Sequence, residues 1–210
     1  MATKRASIRE ALAAFKREHG VHNSALIDIL TSGRSSSSKG GSFEREYCKD
    51  LSMWWSGGST DDLFWRTSGS GARATTRAKH GKQTTGHYGD VTFTCPSAAP
   101  LIELITIELK RGYSKKNVQD MVDRLDKSKP STYEDFFEQA INSARDAGTP
   151  EWMVVVKRDR RKAYVFMSTS FGLRADIIIN PVAIGCRVYG FPLSRFFELD
   201  PTDFGADYDN

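Results

Sequence analysis

Cysteine is scarce in this sequence and shows no pairing pattern: Cys48, Cys95 and Cys186 are an odd number and far apart. They match neither a disulfide framework nor the paired spacing of a zinc-ligand set, and they fit a reducing cytoplasm. Long apolar runs are also missing, so no stretch approaches the length of a membrane span. The opening MATKRASIREALAAF lacks the apolar centre of a signal peptide, and no internal repeat is visible. Residues 63–89 contain no carboxylate, yet they hold Arg66, Arg73, Arg77, Lys79 and Lys82. The last thirteen residues reverse this, with Glu198, Asp200, Asp203, Asp207 and Asp209 and no Lys or Arg. The net charge of +4 says less than this distribution. A basic segment of this kind implies either a polyanionic partner or a solvated basic loop.

What is present is ordinary for a soluble globular chain. Hydrophobic residues make up 39% and charged residues 27% of 210 positions, enough for one domain with a real core. The chain is organised around residues 88–112, YGDVTFTCPSAAPLIELITIELKRG. The β-branched, aromatic and leucine content predicts two strands, 88–94 and 101–110, joined by a turn through Pro96 and Pro100 as a half-buried hairpin. Residues i and i+2 share a strand face, so Glu108 and Lys110 project together, and the hairpin would bring Asp90 alongside. Two carboxylates and an ammonium in apolar surroundings are costly unless they bind something, such as a metal ion.

On either side the pattern predicts mostly helices and strands. Ser7 and Glu10 form a capping box for a helix over 7–18, and Asn23 caps a second over 24–30, which together read as a packing or dimerisation arm. SGRSSSSKGGS, residues 32–42, has the composition of a flexible linker. Ser42 then caps a helix over 43–55 whose apolar face is Phe43, Tyr47, Leu51 and Trp54. On a wheel of 3.6 residues per turn, Glu44 lies roughly 65° from the centre of that stripe and Glu46 roughly 95°. Glu44 thus belongs at the edge of the buried face and Glu46 further out. LFWRT (63–67) reads as a strand. The Gly-, Ser-, Thr- and cation-rich stretch that follows reads as a long mobile loop suited to phosphate contacts. A short helix is expected near 118–125, and Ser131 with Glu134 opens another over 132–147 that Gly148 and Pro150 stop. WMVVVK (152–157) and AYVFMS (163–168) are strands, and IIINPVAIGCRVYGF holds one or two more before a frayed acidic tail. Trp54, Trp55, Trp65 and Trp152 read as core.

The order is helix with Glu44, strand, basic loop, strand with Asp90, strand with Glu108 and Lys110, helix, strand, strand. This set, with Gly89–Asp90 followed by Glu108–Leu109–Lys110, resembles the PD-(D/E)XK nuclease superfamily. Within it the chain looks closest to archaeal-type Holliday junction resolvases and their phage relatives. GGSFERE (40–46) resembles their opening helix, in which the first Glu of an ERE-like run is catalytic, and this selects Glu44. FWRTSGS (64–70) resembles their strand and serine-containing loop, and WMVVVKRDRRKAYVFM their late strands. The likeness spans residues 40–168. The loop over 71–88, the N-terminal helices and the stretch after Ser168 depart from it.

The resemblance implies an α/β, restriction-endonuclease-like core, a central mixed β-sheet flanked by helices in the order αβββαβ. The chain then divides into an N-terminal helical extension (1–34), a flexible linker (35–42), the nuclease core (43–168) and a C-terminal extension with the acidic tail (169–210). Asp90 and Glu108 are hard oxygen ligands for Mg²⁺, with Mn²⁺ as a substitute, and the Leu109 carbonyl is a further ligand. Lys110 would orient a water or stabilise phosphorane charge, and Glu44 would hold a second ion or a metal-bound water. DNA contacts fall to Arg66, Ser68, Ser70, Arg73, Arg77, Lys79 and Lys82. His80 and His87 are phosphate contacts or bystanders. Gln139 is either a functional Gln, as in some relatives, or a solvated or capping residue. The expected activity is a Mg²⁺-dependent endonuclease on branched DNA, acting as a cytoplasmic homodimer without a membrane partner and leaving 5′-phosphate and 3′-hydroxyl ends. The alternatives are a restriction-type or phage DNA-processing nuclease that cuts duplex, and a non-catalytic nucleic-acid-binding protein.

Overall fold

The computed structural model describes residues 36–67, 88–123, 129–181 and 184–206. The two expected N-terminal helices, the stretch expected as a basic loop with Ser68, Ser70, Arg73, Arg77, Lys79, His80, Lys82 and His87, and the last four residues lie outside that set.

Helix α1 (Ser36–Trp55) is followed by strands β1 (Phe64–Arg66) and β2 (Val91–Phe93), a 3₁₀ turn at Pro96–Ala98 and helix α2 (Ala99–Leu104). Then come β3 (Ile105–Arg111), a single helical turn α3 (Asp120–Asp123), helix α4 (Thr132–Ala147), β4 (Glu151–Lys157) and β5 (Ala163–Met167). The chain closes with β6 (Ile177–Ile179), β7 (Val188–Pro192), helix α5 (Leu193–Phe196) and a 3₁₀ turn at Pro201–Phe204. The main sheet has five strands in the order β3-β4-β5-β7-β6, with β3 and β4 parallel and the other pairs antiparallel. β1 and β2 form a separate antiparallel ribbon. This is a mixed sheet flanked by helices, as expected.

Helix α1 covers one face. Phe43, Tyr47, Cys48, Leu51 and Trp55 recur at helical spacing and pack with Ile107, Leu109, Val155 and Val165. Helix α4 covers the other, through Phe137, Ala140 and Ala144 against Trp152, Val154 and Phe166. Each large apolar side chain withdrawn from water here contributes about 1.5–3 kcal/mol. The ends of α4 follow their sequence signals. Ser131 and Glu134 form the reciprocal capping box, and Gly148 closes the helix in the left-handed conformation.

Four expectations are corrected. First, there is no hairpin between the strands around Asp90 and Glu108. β2 pairs with β1, and Ala99–Leu104 is a helix rather than a turn and half a strand. Proline favours the first helical turn, where its missing N–H costs nothing, and Pro100 occupies that place in α2. Second, the stretch with linker composition is helical from Ser36 onward. Third, the residues after Ser168 supply β6 and β7 to the main sheet and bury Val188, Phe191, Phe196 and Phe204, so a boundary at 168 cuts through the sheet. Fourth, Trp65 is 45% exposed: on a short strand Phe64 and Arg66 face one way and Trp65 the other.

Candidate active site

β3 is an edge strand of the main sheet, so groups can approach it from both faces and along its open side. Asp90 takes the open side. Its backbone N–H donates to the Ile107 carbonyl at 2.8 Å, and its Oδ2 accepts from the Leu109 N–H at 2.7 Å. The two bonds flank Glu108. The approach requires Gly89, whose φ is +72° and whose notional Cβ would lie 2.6 Å from the Ile107 carbonyl oxygen. Thr67 fixes the same corner, its N–H donating to the Asp90 carbonyl at 3.0 Å and its hydroxyl to the Gly89 carbonyl at 2.8 Å.

Glu108 is 3% exposed and held by three donors. Lys110 Nζ and Gln139 Nε2 both reach Oε2 at 2.9 Å, and the Ser143 hydroxyl reaches Oε1 at 3.0 Å. Gln139 closes the triangle by accepting from Lys110 Nζ at 2.8 Å. Lys110 Nζ also lies 5.7 Å from the centre of the Phe136 ring. The Glu108 carboxyl is raised above the usual range, chiefly by burial and then by the charge of Asp90, while Lys110 and the Ser143 hydrogen bond oppose the rise.

Glu44 enters from α1. Its carboxyl is raised by burial first and by Asp90 second, with Arg66, Arg45 and Lys110 opposing, so it shares the field of the β3 site. Arg66 Nε lies 3.5 Å from Glu44 Oε2, and its guanidinium lies where a Cβ on Gly41 would stand, at 2.8 Å. Arg66, the one expected DNA contact among the described residues, therefore pairs with Glu44. Cys48, one turn beyond Glu44, has its thiol pushed up to about 12 by burial, with Glu44 and Asp90 adding. Glu46 is half-buried and accepts the Ser42 hydroxyl at 3.3 Å, so it is less open than the wheel implies.

The structure therefore brings Asp90, Glu108 and Lys110 together with Glu44 beside them. It places Gln139 in direct contact with both Glu108 and Lys110. Ser143 escaped the sequence reading, although its spacing of four from Gln139 puts the two on one face of α4. Among the described residues, no three His, Cys, Asp or Glu side chains gather closely enough to hold a metal ion by themselves. A divalent ion would have to draw on Asp90, Glu108 and backbone oxygen. That donor set suits a hard cation. Two neighbouring carboxylates, one raised by the other's charge, carry negative charge that a cation would offset. Among the described residues, Asp90 Oδ1 takes no hydrogen bond and Glu108 Oε1 takes one, which leaves acceptor capacity on both.

A mixed sheet whose edge strand presents Glu-x-Lys, with an Asp clamped beside it, is the architecture of a PD-(D/E)XK nuclease core. Among known protein families, residues 35–182 match the one described as "Phage putative PDDEXK endonuclease", more than two thirds of the chain. The chain belongs to this family and, through it, to the PD-(D/E)XK nuclease superfamily. No curated protein and no solved structure matches it significantly. No helix among the described residues is long and apolar enough to cross a membrane.

Proposed function

We propose that the chain is a Mg²⁺-dependent DNA endonuclease that cuts branched DNA as a homodimer, working through Glu44, Asp90, Glu108 and Lys110. The observation that carries this reading is the clamp of Asp90 Oδ2 on the Leu109 N–H, which sets a second carboxylate beside Glu108 and its paired Lys110. Asp90, Glu108 and the Leu109 carbonyl would hold the ion, which when bound polarises phosphate and acidifies water. Lys110 places a cation against developing phosphorane charge, and Gln139 keeps its ammonium aimed while leaving it part of its hydrogen-bonding capacity. Glu44, its charge shared with Arg66, would accept a hydrogen bond from an attacking water. Support for branched DNA comes from the likeness of residues 40–46 and 64–70 to junction-resolving enzymes. Symmetric cutting of two strands favours a two-fold dimer.

The test is incubation with matched four-way junction, flap, single-stranded and linear duplex DNA in Mg²⁺. Asp90→Asn, Glu108→Gln and Lys110→Ala should each lower cleavage by at least about a hundredfold while the fold is kept. Glu44→Ala should be severe and Glu46→Ala mild. Wild-type turnover in any of the first three, purified and folded, would sink the nuclease assignment. Equal rates on linear duplex and junction would remove the branched-DNA part and favour a phage DNA-processing enzyme.

A further inference from the structure

Next to the candidate active site is a cleft of about 320 Å³ with a two-part lining. Arg158, Arg161 and Lys162 stand on its rim, and Tyr133, Tyr164 and Phe166 form its aromatic side. The volume is that of a small-ligand site. The cations sit on the turn between β4 and β5, which is tied down at several points. The Arg161 N–H donates to the Arg158 carbonyl at 3.2 Å, the buried Lys157 ammonium donates to the Arg161 carbonyl, and Arg158 Nη1 donates to the Lys116 carbonyl at 3.2 Å. The aromatic side is equally fixed, with the Tyr133 and Phe166 rings at 5.6 Å edge to face and Tyr164 and Phe166 at 6.3 Å. Three carboxylates lie near, one of them Asp159 on the turn itself, which is paired with Arg111 at 3.8 Å. Asp120 acts on the Tyr133 phenol, and Asp176 accepts from Tyr164 at 3.3 Å but is itself paired with Arg195 at 2.9 Å. The rim keeps an excess of positive charge.

The register relates this cleft to the site. Val156, which also lines it, pairs with Lys110 across β3–β4 and with Tyr164 across β4–β5. Residues opposite one another share a face, so Lys110, Val156 and Tyr164 form a row beneath the start of α4. At about 4.8 Å per strand, Tyr164 is about 10 Å from Lys110. That is within reach of a neighbouring nucleotide of a strand held at Lys110. Cations on an anchored turn beside an aromatic ring are the pairing that holds unstacked nucleotides, phosphate on the charge and base on the ring.

We infer that this cleft holds one unpaired nucleotide of the DNA strand adjoining the cleaved phosphate, with its phosphate on Arg158, Arg161 and Lys162 and its base against Tyr164, the half-buried ring that the core residues Tyr133 and Phe166 back. The inference rests on the nuclease reading for its substrate, but its test does not use cleavage. A 5′-phosphorylated thymidine dinucleotide is titrated into the full chain without Mg²⁺ and compared with inorganic phosphate and with a single-stranded oligo-dT. The dinucleotide should bind at least about fivefold more tightly than phosphate, the minimum gain from one stacked base. The double variant Arg161→Ala/Lys162→Ala, exposed on the turn, should weaken phosphate and the dinucleotide together. It should also flatten the log–log salt slope of oligo-dT binding by about 1.4, or 0.7 for each of two contacts. Tyr164→Ala should weaken the dinucleotide but not phosphate, and Tyr164→Phe should restore it. The proposal is overturned if the double variant binds the dinucleotide like wild type, or if phosphate binds as tightly as the dinucleotide. It is also overturned if dinucleotide binding falls while oligo-dT binding does not, since the cleft would then serve a free nucleotide. Loss of Mg²⁺-dependent cleavage in wild type would strike the nuclease reading alone.

Discussion

Replacing Asp50 by asparagine should make the protein more stable at high pH. Asp50 lies on α1, 6% exposed, and its Oδ2 is buried with no hydrogen-bond partner among the described residues. Burial pushes its carboxyl from the ordinary 3.8 up to about 7, and the charge of Glu46 adds to the rise. The sign follows from proton counting. Between about pH 4 and pH 7 the folded state keeps a proton that the unfolded chain has released, so stability falls as pH rises through that window and stays lowered above it. A difference of about 3 pH units corresponds to about 4 kcal/mol. An asparagine side chain at this position would carry no charge to desolvate, but its amide would bring donors needing partners, at a cost of about 1–2 kcal/mol. Urea unfolding of wild type and Asp50→Asn from pH 4 to pH 9 should show the variant weaker by about 1–2 kcal/mol at pH 4. At pH 9 it should be stronger by about 2–3 kcal/mol. Parallel curves across the whole range would mean that Asp50 is solvated, and the argument from its burial would be wrong.

Two further substitutions probe the site. Gly89→Ala should cost about 2–4 kcal/mol and remove cleavage, because φ of +72° and the Ile107 carbonyl both exclude a Cβ; an unchanged thermal midpoint would contradict this. Ser143→Ala should move the acid limb of the cleavage pH profile upward, since the Ser143 hydroxyl favours ionised Glu108, and Ser143→Thr should move it back; an unmoved limb in the Ala variant would show that Glu108 does not control it.

Signals that act within a few residues were legible in the sequence. The capping box at Ser131, the stop at Gly148 and the apolar runs of β4 and β5 are local, and the structure repeats them. The composition of residues 36–42 misled, and at one position, Gly41, the small residue has a tertiary reason. Gly41 leaves room for the Arg66 guanidinium, which reaches across to Glu44, and a larger side chain would block it. The expected hairpin failed for a similar reason. LIELITIELK reads equally as one strand or as a helical turn followed by a strand, and only packing against neighbours decides. Gln139 and Ser143 are polar residues on an otherwise amphipathic helix, and their spacing could have marked them as a pair facing the end of β3.

A hairpin puts Asp90 beside Glu108 for the wrong structural reason, and the difference matters for how the site is built. In a hairpin, ladder bonds between neighbouring strands would hold the two carboxylates at a register set by the turn. Here β2 pairs elsewhere, and the contact with β3 includes one backbone bond and the Asp90 side chain itself. The carboxylate clamps the open edge of β3 with Oδ2, and in the proposed reaction it would also serve as a metal ligand. Charge is required only for the second of these, because a neutral amide oxygen also accepts from the Leu109 N–H. Position and ionisation can therefore be separated at this residue by substitution. At Glu108 the separation is less clean: the Gln139 amide and the Ser143 hydroxyl can donate to a neutral amide oxygen, but the Lys110 ammonium pairs with the charge, so Glu108→Gln loses ionisation and one charged contact together.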